Sequence, residues 1–242
     1  MGVIMKRLLT LVLTFAAAYT AMAQTDVRAV YNFASDAPAA SITVESWSTD
    51  NWGDSYLSGG FGVVAQPLSL SQGYLDFARN FNFWHNVPIL KDFSLHAEFN
   101  GKVYMDNCNA LFGLSYTVPL EKDVLRASVL YKTFNGGASS SVPVQLTLLW
   151  RLYDLFGVQG LDFRGTARGW GENIKYWWGD ENKLAGGLER FVIVVDPQVW
   201  YAVGQFAGAG NLSIGGEVEL PYNWLGRHGF HARPSAGIKL QF

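Results

Sequence analysis

The chain has 242 residues, of which 49 % are apolar, 15 % aromatic and only 16 % charged, and its formal net charge is −2. Soluble proteins carry roughly 25 % charged residues, so this composition is unusual for a surface in water. The charge balance gives no electrostatic case for nucleic-acid binding, and the single Cys108 excludes an internal disulfide. Beyond the start of the chain, no apolar run approaches the roughly 20 residues of a membrane-spanning helix. Two classes remain, an aromatic-rich soluble β protein and a membrane barrel.

The chain starts with the features of a secretory signal peptide over residues 1–23. Lys6 and Arg7 precede an apolar stretch, and Ala23 closes a small-x-small cleavage pattern. We therefore expect the mature domain to span residues 24–242. No cysteine follows the apolar stretch, which argues against a lipid anchor. An export signal ahead of this composition predicts the outer membrane of a diderm, Gram-negative-type bacterium as the location.

Apolar and polar residues then alternate in segments of about ten residues, separated by turn residues. Successive side chains of a strand point to opposite faces, so each segment has one apolar face and one polar or small face. Charges recur in mid-strand on one face, and the segments are close to the roughly 9–11 residues of a tilted spanning strand. These features favour a barrel in lipid over a soluble sandwich. The predicted strands are 26–34, 41–48, 56–65, 73–83, 92–101, 109–117, 124–133, 143–152, 160–169, 190–202, 211–221 and 230–242.

The predicted fold class is therefore all-β, an antiparallel transmembrane β-barrel of twelve strands. Single-chain bacterial barrels have an even strand number, and only a closed barrel leaves no unpaired edge in lipid. With strand one running outward, the longest connection, about 170–189, falls outside the cell, where it could fold inward as a gate. Two irregularities are expected. A β-bulge near Ala78 would let Asp76 and Arg79 share a face, and Pro197, which lacks a ladder donor, predicts a bulge or a bend.

The polar face supplies the candidate residues of a lumen. Both signs of charge are abundant, so strong ion selectivity is not expected, and inward aromatic residues could stack a base or a sugar. Two alternatives stay open. In the first, acids and bases pair across the lumen and seal it. In the second, the network of charges is partly open and solvates a neutral polar solute. The candidate residues of the solute path are Glu45, Trp47, Tyr56, Asp76, Glu98, Arg126, Lys132, Arg151, Asp162, Arg164, Arg168, Asp196, Trp200, Glu217 and Glu219.

The sequence offers little support for an enzyme. None of His85, His96, His228 and His231 belongs to a recognisable Ser–His motif with a third orienting group. No glycine-rich loop opens a helix in the way that phosphate-binding loops do. A lipid-modifying barrel enzyme would need a Ser–His pair on its lipid-facing side, and it remains an alternative. We expect no catalytic residues, no cofactor and no metal.

Two parts of the chain carry a family resemblance. The first is Ile42–Trp47 followed by Asp50–Leu57, and the second is Asn211–Leu220 followed by Pro234–Phe242. Both resemble the nucleoside-specific channel-forming outer-membrane proteins, the Tsx-like family, and their uncharacterised relatives. The resemblance implies a twelve-stranded monomeric barrel that passes nucleosides or similar small solutes.

The last strand resembles the signal by which outer-membrane assembly machinery recognises its clients, since an alternating run ends on Phe242. The expected function is passive diffusion of small polar solutes through an outer-membrane channel, with nucleosides as the leading candidate. The alternatives are an outer-membrane lipid-modifying enzyme and a plugged structural barrel without transport. The expected partners are outer-membrane lipid, the solute and the assembly machinery.

Overall fold

The computed structural model describes residues 23–34, 38–65, 68–102, 108–134, 139–173, 191–204, 211–224 and 229–242. Its strands are β1 (Ala23–Asn32), β2 (Ala40–Asp50), β3 (Gly53–Ala65), β4 (Leu68–Phe81), β5 (Phe93–Lys102), β6 (Asn109–Val118), β7 (Val124–Lys132), β8 (Val144–Leu152), β9 (Leu161–Trp170), β10 (Val192–Ala202), β11 (Leu212–Tyr222) and β12 (Arg233–Gln241). A short 3-10 turn, Leu155–Gly157, lies between β8 and β9. In the described part of the chain, no helix has the length and apolar character needed to cross a membrane. Each predicted strand is confirmed, with its ends shifted by a few residues.

The strands form one closed antiparallel barrel in which every strand pairs with its neighbours in sequence. Closure comes from β1 and β12, whose register runs from Asp26↔Gln241 to Asn32↔Ser235. We call the end of the barrel that carries residues 171–191 the loop end. The opposite end, the turn end, carries residues 51–52 and both ends of the described barrel. The predicted fold class is confirmed.

The distribution of side chains is the reverse of that in a soluble protein. Lys239 is fully buried, and Arg28 is only 4 % exposed, whereas Val129 is 57 % exposed and Leu146 is 58 % exposed. The buried residues face the lumen and are mostly polar or charged, while the exposed residues face outward and are aliphatic or aromatic. An apolar exterior around a polar interior is the pattern of a barrel that stands in lipid.

Strand β4 is regular where the sequence predicts a bulge, so that prediction is wrong. Pairing with β5 continues without a shift from Tyr74 to Phe81. Asp76 faces the lumen, and Arg79 lies on the outer face near the turn end, where its Nη2 donates to Asp50 Oδ1 at 2.7 Å. A long arginine side chain can leave the lipid-facing surface and place its charge at the rim, so the two charges need not share a face.

The register irregularity of this region lies elsewhere. The β3–β4 pairing shifts between Gly60 and Gly62. The register of β10 and β11 is the same on both sides of Pro197, although Asp196 and Pro197 themselves have no paired partners on β11. The bulge considered at Pro197 is therefore absent, and the proline interrupts the ladder without displacing it.

Candidate functional site

The lumen contains a cavity of about 420 Å³, which we call the vestibule. It extends from the loop end, where Asn32 and Trp224 line it, to Glu45 in the middle of β2 and to Arg151 near the end of β8. Small-molecule sites usually occupy roughly 300–1,000 Å³. The vestibule is therefore large enough to hold a small polar solute.

The two sides of the vestibule differ in chemistry. On β10 and β11, three carboxylates face the cavity, those of Asp196, Glu217 and Glu219. The opposite side, on β2 to β6, carries the carboxylates of Glu45 and Asp76 among a larger set of uncharged hydrogen-bonding groups, namely Ser41, Thr43, Ser58, Tyr74, Asn100 and Asn109. The alternation of the strands places all of these side chains on the inner face. A solute in the vestibule meets three carboxylates on one side and mostly hydroxyls and amides on the other.

Cations from neighbouring strands accompany the vestibule carboxylates. Arg28 Nη1 donates to Glu217 at 3.0 Å, and Arg233 Nη1 donates to Glu219 at 2.6 Å. Arg168 lies 3.5 Å from Asp76 across the lumen. These pairs cancel much of the local field, so the cavity does not carry one sign of charge.

At the base of the vestibule, a network of buried ion pairs occupies one side of the lumen. Arg28 donates to Glu45 and Gln198, and Arg164 donates to Asp26 at 2.6 Å. These four ionised side chains are each less than a tenth exposed. Buried charges are tolerated only with partners, and removal of one partner from such a pair costs roughly 3–5 kcal/mol. The network is therefore a rigid floor under this side of the vestibule.

On the other side of the lumen lies a second cavity of about 30 Å³, which we call the chamber. It shares Tyr56, Asp76, Leu149, Thr166 and Arg168 with the vestibule, so the two cavities meet at these side chains. The ring of Trp47 lines the chamber. Two guanidinium groups lie against this ring, Arg126 at 5.1 Å and Arg151 at 4.8 Å from its centroid.

A serine, a histidine and a glutamate stand in a row beside the chamber, which the sequence did not reveal. Ser115 Oγ lies 3.2 Å from His96 Nδ1, and His96 Nε2 lies 2.9 Å from Glu98. However, Asn80 donates its amide N–H to Asp54, which turns its Oδ1 toward His96 Nδ1 at 2.8 Å. Nδ1 thus faces the amide oxygen of Asn80, and a ring nitrogen that donates to this oxygen cannot accept the proton of Ser115.

Burial also separates this row from any lipid substrate. Ser115 is only 1 % exposed, and it lies on the lumen side of the barrel wall. A lipid-modifying enzyme requires its serine and histidine on the outer face. Among the described residues, no group of three or more His, Cys, Asp or Glu side chains could hold a metal ion. The row is best explained as a structural hydrogen-bond chain.

The structure brings most of the candidate residues to the two cavities. Trp47, Glu98 and Arg126 line the chamber, whereas Asp162 and Trp200 line neither cavity. Trp200 is fully buried, with Lys239 Nζ 5.6 Å from its ring, so it has no face free for stacking a solute. The remaining candidates line the vestibule, namely Glu45, Tyr56, Asp76, Lys132, Arg151, Arg164, Arg168, Asp196, Glu217 and Glu219.

Several vestibule residues were missed at the level of the sequence. Tyr74 and Gln198 share the alternation parity of Asp76 and Asp196, and this signal could have identified them. Trp170 ends β9 instead of starting a connection, and its ring stands 3.6 Å from Lys132 Nζ. Most of the connection considered as a gate, from residue 174 onward, lies outside the described residues.

Comparison with known proteins extends these findings. The model of a family described as "Domain of unknown function (DUF5020)" matches residues 24–242. No curated protein matches the chain. Among solved structures, the NanC porin is similar with a TM-score of 0.54 and 7 % identity, over 89 % of this chain and 98 % of that one. The KdgM porin, solved in complex with disordered oligogalacturonate, has a TM-score of 0.46 and 12 % identity, over 90 % of this chain and 99 % of that one. The outer membrane protein OprD from Pseudomonas aeruginosa has a TM-score of 0.38 and 11 % identity, over 92 % of this chain and 66 % of that one. At this identity, the similarity to NanC shows a common barrel fold.

Proposed function

The chain belongs to the DUF5020 family, and we propose that its barrel is a channel through which small polar solutes diffuse passively across a bacterial outer membrane. The observation that carries this proposal is the polar vestibule of about 420 Å³ inside a barrel whose outer surface is apolar. A barrel that only filled the membrane would gain nothing from such a cavity, because a packed lumen is more stable than a hollow one.

The chemistry of the vestibule favours neutral solutes with many hydrogen-bonding groups. Glu217, Asp76 and Glu219 are each paired with an arginine. A solute of either charge therefore gains little from the field of these pairs, whereas hydroxyls and amides can replace its hydration shell. Tyr56 and Tyr74 present aromatic rings at the cavity wall and could stack on a planar base or a sugar. Nucleosides combine a planar base with a hydroxylated sugar, and we retain them as the leading candidate.

The test is uptake by liposomes that contain the purified barrel. Radiolabelled nucleosides would be compared with sugars and amino acids of similar size. The variant Thr43→Trp places a large ring in the vestibule, and Ile42→Trp is its matched control, because residue 42 is adjacent on β2 and faces outward. We expect Thr43→Trp to reduce uptake strongly and Ile42→Trp to leave it unchanged.

Each other outcome has a distinct meaning. Absence of uptake for every solute would refute the channel and favour a structural barrel. Equal uptake of all solutes of one size would keep the channel and remove the preference for nucleosides. Release of fatty acid from the liposome phospholipid would instead support the lipid-modifying enzyme.

We further propose that residues 1–23 are a signal peptide, that the loop end faces the cell exterior and that one chain forms the working unit. The predicted peptide lies almost entirely outside the described residues, and the proposal rests on its charge, apolar stretch and cleavage pattern. The last strand, ending at Phe242, would be recognised by the assembly machinery. A mature protein from the outer-membrane fraction whose mass corresponds to a start at Gln24 is the expected result. Retention of residues 1–23 would refute it.

A further inference from the structure

We infer that the route through the barrel leaves the vestibule off-centre, through a neck formed by the side chains that line both cavities, and continues into the chamber. The neck consists of Tyr56, Asp76, Leu149, Thr166 and Arg168. This inference rests on the proposed function only for the identity of what moves along the route. The neck is where the two cavities share their walls. It selects solutes that can exchange hydrogen bonds with a carboxylate and a guanidinium in turn.

The Asp76–Arg168 pair is looser than the pairs of the floor. Its closest oxygen–nitrogen distance is 3.5 Å, and the two side chains are 17 % and 24 % exposed. By comparison, Arg164 and Asp26 approach to 2.6 Å and are 6 % and 4 % exposed. A long, partly hydrated pair loses less when its members separate than a short, dry pair does. The neck pair therefore separates at a lower cost than the Arg164–Asp26 pair of the floor.

Two unsatisfied atoms beside the chamber point to a polar occupant. Arg168 Nε and Glu98 Oε1 are buried, and neither has a hydrogen-bond partner among the described residues. One is a donor, the other is an acceptor, and both residues line the chamber. Buried polar atoms normally find partners, and a cavity of about 30 Å³ accommodates one water molecule or one hydroxyl group. The chamber wall thus carries a donor and an acceptor, which a hydroxyl group that has passed the neck reaches when the side chains of Arg168 and Glu98 turn toward the cavity.

Among the described residues, three side chains on the opposite side of the lumen are tightly packed. Lys239 and Trp200 are fully buried, and Ser213 on β11 is 6 % exposed. None of these three side chains lines the vestibule or the chamber. Passage at these three residues would require packed side chains to move, whereas passage at the neck requires the longer Asp76–Arg168 ion pair to separate.

The experiment compares two buried serines converted to cysteine in a Cys108→Ser background. Ser128→Cys places a thiol in the chamber, and Ser213→Cys places one on the packed side, at nearly the same burial of 5 % and 6 %. The folded barrel in detergent is exposed to a small cationic methanethiosulfonate reagent, and the rate of thiol modification is measured by mass spectrometry. Each cysteine variant is tested alone and with Arg168→Ala, which removes the side chain from the neck.

We expect Arg168→Ala to accelerate modification of Ser128→Cys roughly tenfold and to leave Ser213→Cys unchanged. Arg79→Ala, which removes an arginine from the outer face, should accelerate neither. Equal acceleration of both cysteines would show general loosening and would overturn the inference, as would no acceleration of Ser128→Cys. If Arg168→Ala does not fold, Arg168→Gln replaces it, with a smaller but equally selective acceleration expected.

These outcomes separate the route from the proposed function. Selective acceleration without solute uptake in liposomes would support the route and refute the channel proposal. Uptake without selective acceleration would support the channel and refute this route.

Discussion

Replacement of Arg28 by methionine tests the account of the ion network most directly. Methionine retains much of the side-chain volume but removes a charge that contacts Glu45 and Glu217 in a largely buried setting. Removal of one partner of a buried ion pair costs roughly 3–5 kcal/mol, because the other charge stays buried and uncompensated. The size of the effect depends on what remains for each acid.

The remaining partners place the expected loss at the lower end of that range. Glu45 still has Arg151 and Arg164, each 3.7 Å away. Asp26 also keeps Arg164, whereas Glu217 is left with no salt bridge to any described residue. Since the Glu217 side chain is 24 % exposed to the vestibule, water offsets part of its loss. We therefore expect Arg28→Met to reduce the free energy of unfolding by about 3 kcal/mol.

The assay is urea unfolding of the barrel from lipid vesicles, followed by tryptophan fluorescence, with the midpoint and slope giving the free energy of unfolding. The matched control is Arg79→Met, whose partner Asp50 is 52 % exposed at the rim, and it should cost less than about 1 kcal/mol. Adding Glu217→Gln to Arg28→Met should recover about 1 kcal/mol, since it removes the uncompensated charge. The reasoning would be refuted if Arg28→Met cost no more than Arg79→Met.

Two smaller perturbations test other parts of the structure. In Gly237→Ala, the new Cβ would lie 2.0 Å from the carbonyl oxygen of Ala29, so we expect a loss of about 1–3 kcal/mol in the same urea assay. Gly169→Ala, whose nearest contact is at 3.6 Å, should have little effect, and an equal loss in both variants would contradict the argument. In the connections at the turn end, the hydrogen bond from Lys122 holds the pKa of the exposed Asp154 carboxylate below its ordinary value. Lys122→Ala should raise that pKa in an NMR titration, and an unchanged pKa would show that the ion pair does not form in solution.

Side-chain alternation predicts the face of a residue well, because the geometry of a strand leaves only two choices. Glu98, Arg151 and Arg164 were all expected in the lumen and are found there. Arg79 is the exception. The bulge at Ala78 was predicted because every mid-strand charge was assumed to point inward, yet Arg79 is close enough to the rim to reach water from the outer face.

Alternation does not predict which inward side chains meet. Arg28 and Glu217 are 189 residues apart, and their contact depends on the tilt of the strands and on the stagger between them. The same limit explains why Trp200 was expected beside a solute but is packed against Lys239. Sequence periodicity gives the inner face as a set of residues, whereas the division into vestibule, floor and chamber follows from the closed barrel.

The pairing of β1 with β12 has a consequence for folding. The other eleven ladders join strands that are adjacent in the chain, whereas this one joins the first strand to the last. Beside it, the Phe242 N–H donates to Thr25 O at 2.8 Å. Until the last strand is synthesised, the sheet has two open edges that can pair with other chains. The entropy cost of closure grows only logarithmically with chain length, so the size of the ring is not the main obstacle. The protein is therefore most prone to aggregation before β1 and β12 pair, when association of its open sheet edges with other chains competes with closure of the barrel.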